Sequence, residues 1–332
     1  MSRLTRVIAV ASAVSAIVLA AIPTASADPA NPSPALVAGH RPNTWALPGD
    51  HAAPEGIARD PYAPYFYTGS TADGTIYRGD LRTGEVRSFL PGGVDGRATA
   101  VGMKVDRFGR LIIAGGYTGL VWVYDTGTGS LLHTFDTGIS PNFLNDLAVA
   151  DDGDVYVTDS VQPKLYRIAA EQLDSDAPRT AALPVFADLT GSPIVYRDGF
   201  NLNGIVVTPD QRYVIVAHDN DNGLFRIDRR SKEIRRIDLG GAGVDGDGLL
   251  IRGHTLYAVS SVDGNRSVVN VVRLDWGYGT GVLERRATNP LLDRPSTAAF
   301  DGDAILVVNF QYAVPNPHLP YTVVRVPLAD LT

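Results

Sequence analysis

Six positions spread along this 332-residue chain share one setting, a residue that leads an apolar, strand-like run: Glu55, Val101, Asn145, Asn203, Asp247 and Ser296. Two are carboxylates, two are amides, one is a hydroxyl and one is aliphatic. Brought together, they would be rich in oxygen donors and poor in nitrogen. That is the ligand chemistry of a hard cation such as Ca2+, which takes about 6 to 8 oxygens at roughly 2.3 to 2.6 Å, whereas zinc prefers imidazole or thiolate. Taken singly, the Asn-Gly and Asp-Gly pairs here read as ordinary turn chemistry. An oxygen donor in the same slot in five of six copies is the stronger signal.

The elements that must position these residues are β-hairpins. Residues 145–160, NDLAVADDGDVYVTDS, set two short apolar runs on either side of an Asp- and Gly-rich turn, the pattern of a tight hairpin. Variants of it begin at each of the other five leading positions, at successive offsets of 46, 44, 58, 44 and 49 residues. Second hairpins follow at 75–90, 120–135 and 224–237. About 40 to 50 residues is what four strands and their turns consume in a propeller blade. The expectation is therefore an all-β, six-bladed β-propeller. Its sixth copy lacks an outer strand, and the strand-like patch at 43–47 lacks a blade, so that N-terminal patch is expected to complete the last blade and close the ring.

The N-terminus carries Arg3 and Arg6, an apolar run at 7–22 and Ala25-Ser26-Ala27, which reads as a secretory signal peptide over 1–27. A flexible leader at 28–35 and a propeller domain at 36–332 complete the division. Secretion to the extracellular space or cell envelope is expected, with no membrane association after cleavage. Losing two Arg and no acids moves the formal charge from −7 to −9, which disfavours a nucleic-acid partner. There is no cysteine, so no disulfide staples the fold. A small-molecule substrate and a monomer are the expected partner and state.

Propeller topology sorts the remaining candidates by face. The leading residues start inner strands at one mouth of the central channel, and second strands return to that mouth. His218, at the end of a second strand, is expected there as a proton shuttle, with Asp219 orienting its ring. His254 and the turn at 301–303 fall on the opposite face as turn residues. Arg97 and Lys104, on either side of Val101 in sequence, and Ser296 are read as substrate contacts. The long interval before Asn203 is expected to cross the far face at 169–182 and to form a lid or specificity wall at 190–202.

The motifs Glu55-Gly56, Asn145-Asp146, Asn203-Gly204 followed by Thr208-Pro209-Asp210, and Asp247-Gly248-Leu249 resemble the senescence-marker-protein, gluconolactonase and luciferin-regenerating-enzyme superfamily of six-bladed propellers, over roughly residues 47–326. The resemblance implies Glu55, Asn203 and Asp247 as ligands of a divalent metal, and Asn145 as a further ligand or substrate contact. It also implies Asp247 as general base or nucleophile. Two departures stand out: the first motif continues as Glu55-Gly56-Ile57-Ala58 with no nearby Trp, and the second blade is led by Val101. The expected activity is that of a secreted, calcium-dependent lactonase-like hydrolase, with Mg2+, Mn2+ and Zn2+ left open. The alternative is a non-enzymatic propeller that binds a peptide, glycan or cell-wall ligand around a structural ion.

Overall fold

The computed structural model describes residues 42–262 and 266–331; the expected signal peptide and leader lie outside them. Among these residues twenty-five strands form six small sheets, linked by tight turns and four short 3-10 turns. Each sheet is a blade of a six-bladed propeller. The innermost strands are Pro54–Arg59, Met103–Val105, Leu144–Val149, Leu202–Val207, Gly248–Arg252 and Pro295–Asp301.

Blades stack because both faces of each sheet are apolar. Strand Tyr213–His218 is buried along its whole length and does not alternate with polar residues. Val214 and Val216 enter the cluster shared with the third blade, while Tyr213, Ile215 and Ala217 enter the cluster shared with the fifth. One such cluster fills each of the six junctions. Burial on both faces removes the pressure for alternation.

Strand Thr44–Ala46 pairs antiparallel with Thr322–Pro327 and supplies the outer strand of the sixth blade, as the count of repeats required. Trp45 anchors it: its indole Nε1 donates to the Asp80 carbonyl at 3.0 Å and its ring meets Phe66 edge-on. The interval at 169–182 begins beside the far-face turns, where the Ala170 N–H donates to Asp154 Oδ1 at 3.1 Å and the Arg110 guanidinium donates to the Leu173 carbonyl, and it ends in a strand that was not expected. Thr180–Ala182 pairs in parallel with Leu131–Asp136 and becomes a fifth, outermost strand of the second blade. His133 is thereby covered, and its Nδ1 lies 3.2 Å from the Pro178 carbonyl.

In four blades the inner strand bulges at its leading residue. Glu55-Gly56 oppose one partner between the pairs Pro54↔Ser70 and Ile57↔Thr68, and the same two-against-one step occurs at Asn145-Asp146, Asn203-Gly204 and Ser296-Thr297. In the other two blades, Val101 and Asp247 stand ahead of the strand itself. A bulge re-aims side chains that a regular ladder would point into the blade junctions.

Candidate functional site

The glycines that follow the leading residues do not make turns. A Cβ on Gly56 would lie 2.0 Å from the Val101 carbonyl oxygen of the next blade, and one on Gly248 would lie 2.0 Å from Thr297 Oγ1. Glycine is needed here for close approach of neighbouring inner strands. Polar atoms complete the ring: Gly102 N–H donates to the Asn145 carbonyl, Thr158 Oγ1 to the Asn203 carbonyl and Ser296 Oγ to the Glu55 carbonyl, at 2.8, 2.9 and 2.6 Å. The leading side chains are thus mounted on a tightly cross-braced collar.

A cavity of about 540 Å3 opens at the mouth of this collar, and Glu55, Val101, Asn145, Asn203 and Asp247 line it together with Asp219 and Asp245. The two amides are oriented by what their nitrogens do. Asn203 Nδ2 donates to Asp219 Oδ2 at 3.0 Å, and Asn145 Nδ2 donates to Ser160 Oγ at 2.9 Å. Asn203 Oδ1 is buried with no hydrogen-bond partner, and so is Glu55 Oε2. A buried oxygen without a donor is costly, and two converging on one cavity call for a positive group between them.

Electrostatics agree. Burial pushes the Glu55 carboxyl well above the usual carboxylate range, and the charges of Asp247 and Asp146 push it further while Lys104 opposes them. Asp247 is also raised, by burial and then by Asp219. Asp219 is raised by burial to about 7, with the Asn203 amide holding it down and Asp245 adding to it. Each of these carboxyls makes the ionised form of its neighbours less favourable, a conflict that a cation would relieve. Among the described residues no three Asp, Glu, His or Cys side chains gather closely enough to cage a metal on their own. The donor set that fits is mixed: Glu55 and Asp247 carboxylates with Asn203 and Asn145 amide oxygens. It suits an oxygen-seeking divalent cation.

Other expected site residues are placed elsewhere. Arg97 is completely buried, with its guanidinium donating to the Gly74 and Pro91 carbonyls and to the Tyr124 hydroxyl. It braces the loop between the first two blades and does not line the cavity. Ser296 is also fully buried, tied to the Glu55 backbone as a brace. Lys104 lies on the inner strand of the second blade and pairs with Asp146 Oδ1 at 3.1 Å, close enough to Glu55 to lower its pKa. That is a charge balance behind the collar, not a rim contact.

His218 also departs from expectation. Its ring is fully buried between the edges of Tyr196 and Phe225, and it is not among the cavity-lining residues. Nδ1 accepts from the Asp221 backbone N–H at 3.2 Å, capping the short turn Asp219–Asp221. Asp219, expected to orient that ring, instead faces the cavity and is held by Asn203.

Asp219 belongs to a set of residues at the ends of second strands, with Thr71, Tyr117, Ser260, Ser261, Phe310 and Tyr312, all lining the cavity. The topology that sends second strands back to the mouth, which pointed to His218, points equally to these residues in five of the six blades. Of the expected wall at 190–202, Phe200 reaches the cavity.

A scan against protein-family models and a search of curated protein sequences found no match to this chain. Among solved structures, the calcium-binding protein regucalcin from Agrobacterium tumefaciens is similar, at 18% identity and a TM-score of 0.58 over 82% of this chain and 90% of that one. A gluconolactonase from Xanthomonas campestris is similar at 18% identity and a TM-score of 0.56, over 82% and 86% of the two chains. Virginiamycin B lyase from Staphylococcus aureus aligns at 11% identity with a TM-score of 0.59, covering 86% of this chain and 98% of its own. At these identities the likeness is one of fold, a propeller architecture that carries lactonase and lyase activities alike.

Proposed function

We propose that this protein is an exported, monomeric, divalent-cation-dependent lactonase-like hydrolase, with Ca2+ as the cation and the collar cavity as its active site. The observation that carries the reading is the pair of buried, partnerless oxygens, Glu55 Oε2 and Asn203 Oδ1, beside the Asp247 carboxyl in a cavity of ligand size. Fold likeness to a calcium-binding regucalcin and to a gluconolactonase supports the same direction.

Glu55, Asn203 and Asp247 would hold the cation, with Asn145 as a further donor or substrate contact. Bound there, it would polarise the carbonyl oxygen of a lactone or related ester. Asp219 is the carboxyl set beside the ligands by the Asn203 amide, and it is placed to take the proton of an attacking water. The water oxygen adds to the carbonyl carbon, the acyl carbon–oxygen bond of the ring breaks, and the proton held on Asp219 passes to the departing alkoxide. The product is the open hydroxy acid. Asp247, which the family resemblance marks as base, serves in this scheme as the ligand that borders the reacting volume.

The test is metal analysis of the purified mature protein, followed by turnover on a panel of lactones and aryl esters. Hydrolysis abolished by a chelator and restored by Ca2+ is expected. Asp219→Asn should keep the ion while lowering kcat by about 100-fold or more. A tightly held ion with no turnover across the panel would instead assign the propeller to binding a peptide, glycan or cell-wall ligand around a structural cation.

A further inference from the structure

Above its acidic floor the cavity is walled by aromatic rings. Tyr117, Phe143 and Phe200 come from three separate segments and pack in a row, with centroids 4.6 and 4.9 Å apart and interplanar angles of 70° and 69°. On the sixth blade Phe310 and Tyr312 pack at 5.5 Å and line the same cavity. Tyr117 and Tyr312 are 69% and 62% exposed, large rings held at the rim of a cavity and not folded into a core. Val101, the one aliphatic leader, continues the apolar lining downward from this wall.

Polar groups are distributed the other way. Glu55, Asp247 and the two amides sit on the collar, with the Asp219 and Asp245 carboxyls beside them. On the walls the side chains able to hydrogen-bond are single hydroxyls and the Arg294 guanidinium; that guanidinium donates to the Tyr312 carbonyl at 3.3 Å, and Ser260 accepts from Asn270 Nδ2 at 2.8 Å. A polyhydroxylated ring entering here would bring several hydroxyl groups against ring faces and edges that cannot pair with them, and each unmet hydrogen bond opposes binding. A flat apolar group would meet rings on two sides, in the offset and edge-to-face arrangements that aromatic pairs prefer.

Resting on the hydrolase reading above, we propose that the substrate is a lactone or ester bearing an aromatic ring, that this ring lodges between Tyr117 and Phe200 on one side and Phe310 and Tyr312 on the other, and that polyhydroxylated sugar lactones are poor substrates. Val101 is then part of the specificity: an oxygen donor at that position would face the apolar substituent.

Two measurements on the full mature protein separate this proposal from the reading beneath it. The first is equilibrium binding, by calorimetry in the presence of Ca2+, of a bicyclic aryl lactam, which has the shape of an aryl lactone and resists hydrolysis, against a sugar lactam of similar size. Saturable binding of the aryl lactam, weakened about three- to tenfold by Tyr117→Ala or Tyr312→Ala, is expected. The second is kcat/KM for an aryl lactone against a sugar lactone, with the aryl compound favoured and the loss on ring removal falling in KM. Both tyrosines are exposed, so the variants should fold, and Tyr117→Leu, which keeps apolar area without a ring, should recover only part of the binding. Aryl binding without turnover of any ester overturns the hydrolase reading and leaves the aromatic cleft standing. Preference for the sugar compounds in both measurements, or aryl binding indifferent to both tyrosine changes, overturns the cleft and leaves the hydrolase reading standing.

Discussion

Glu55 shows how one side chain can be wrong for the fold and right for a ligand. The residue is 6% exposed, and its carboxyl has one buried oxygen without a partner and feels the charges of two further carboxylates. Glu55→Gln removes the repulsion, so in the presence of chelator the variant should melt several degrees above the parent. With saturating Ca2+ the order should reverse, because the parent gains linked binding free energy and the variant has lost a ligand; an ion at about 100 times its Kd contributes ~2.7 kcal/mol. Thermal melts with and without Ca2+ check both signs. His218 gives a pH-dependent counterpart outside the cavity. Burial lowers its pKa below the ordinary value of 6.5, with Asp221 partly opposing, so the unfolded chain takes up this proton more readily than the folded one. Stability from this residue is complete above pH 6.5 and declines as pH falls from there through the lowered folded value, by at most about 1.4 kcal/mol per pH unit. His218→Asn keeps an acceptor for the Asp221 N–H and cannot titrate, so urea unfolding between pH 7 and pH 5 should show a shallower loss than in the parent.

At the scale of the strand, the decisive devices are the bulges and the glycines beside them. The bulge at Asn145-Asp146 is secured by Thr158, which accepts from the Asp146 N–H and donates to the Asn203 carbonyl of the next blade. The same hydroxyl therefore aims one leading residue and fixes the distance to another. Gly56→Ala would drive a methyl into the Val101 carbonyl at 2.0 Å, a backbone neighbour that cannot rotate away. A loss of about 3 kcal/mol is expected, together with weaker cation binding, because spreading the first two blades moves Glu55. Chemical denaturation and Ca2+ titration on one preparation would show whether stability and affinity fall together. In the sequence Asn203-Gly204 and Asp247-Gly248 read singly as turn pairs, since the cue for a turn and the cue for close approach are the same residue. Only the neighbouring backbone tells them apart.

For the molecule as a whole, closure depends on three residues far from the site. Strand Thr44–Ala46 completes the sixth blade, and Trp45 fills the junction between that blade and the first at 1% exposure. Trp45→Ala should cost about 3 to 5 kcal/mol. Deleting residues 36–48 should cost more, exposing the edge of Thr322–Pro327 and loosening the junction on which Glu55 is mounted. The melting temperature reports the first effect, and concentration-dependent association of the deletion variant reports the second. A near-parental melting temperature for the deletion variant would contradict closure at this blade.

By itself the sequence determined the blade count, the closing strand and the leading residues, because a period of four strands is written in where apolar runs and turns fall, and that spacing survives any detail of packing. It also placed Glu55, Asn145, Asn203 and Asp247 at one mouth, since topology follows from strand order. Only the tertiary structure decided what each side chain does there. Arg97 is two residues from Thr99, which lines the cavity, yet it turns inward to brace a loop; Asp219 and His218 are adjacent, yet one enters the cavity and the other the core. The physical reason is that neighbours along a chain share a location but not a direction. Direction is set by bulges, caps and the backbone of the next blade, none of which has a signature in the residues it controls.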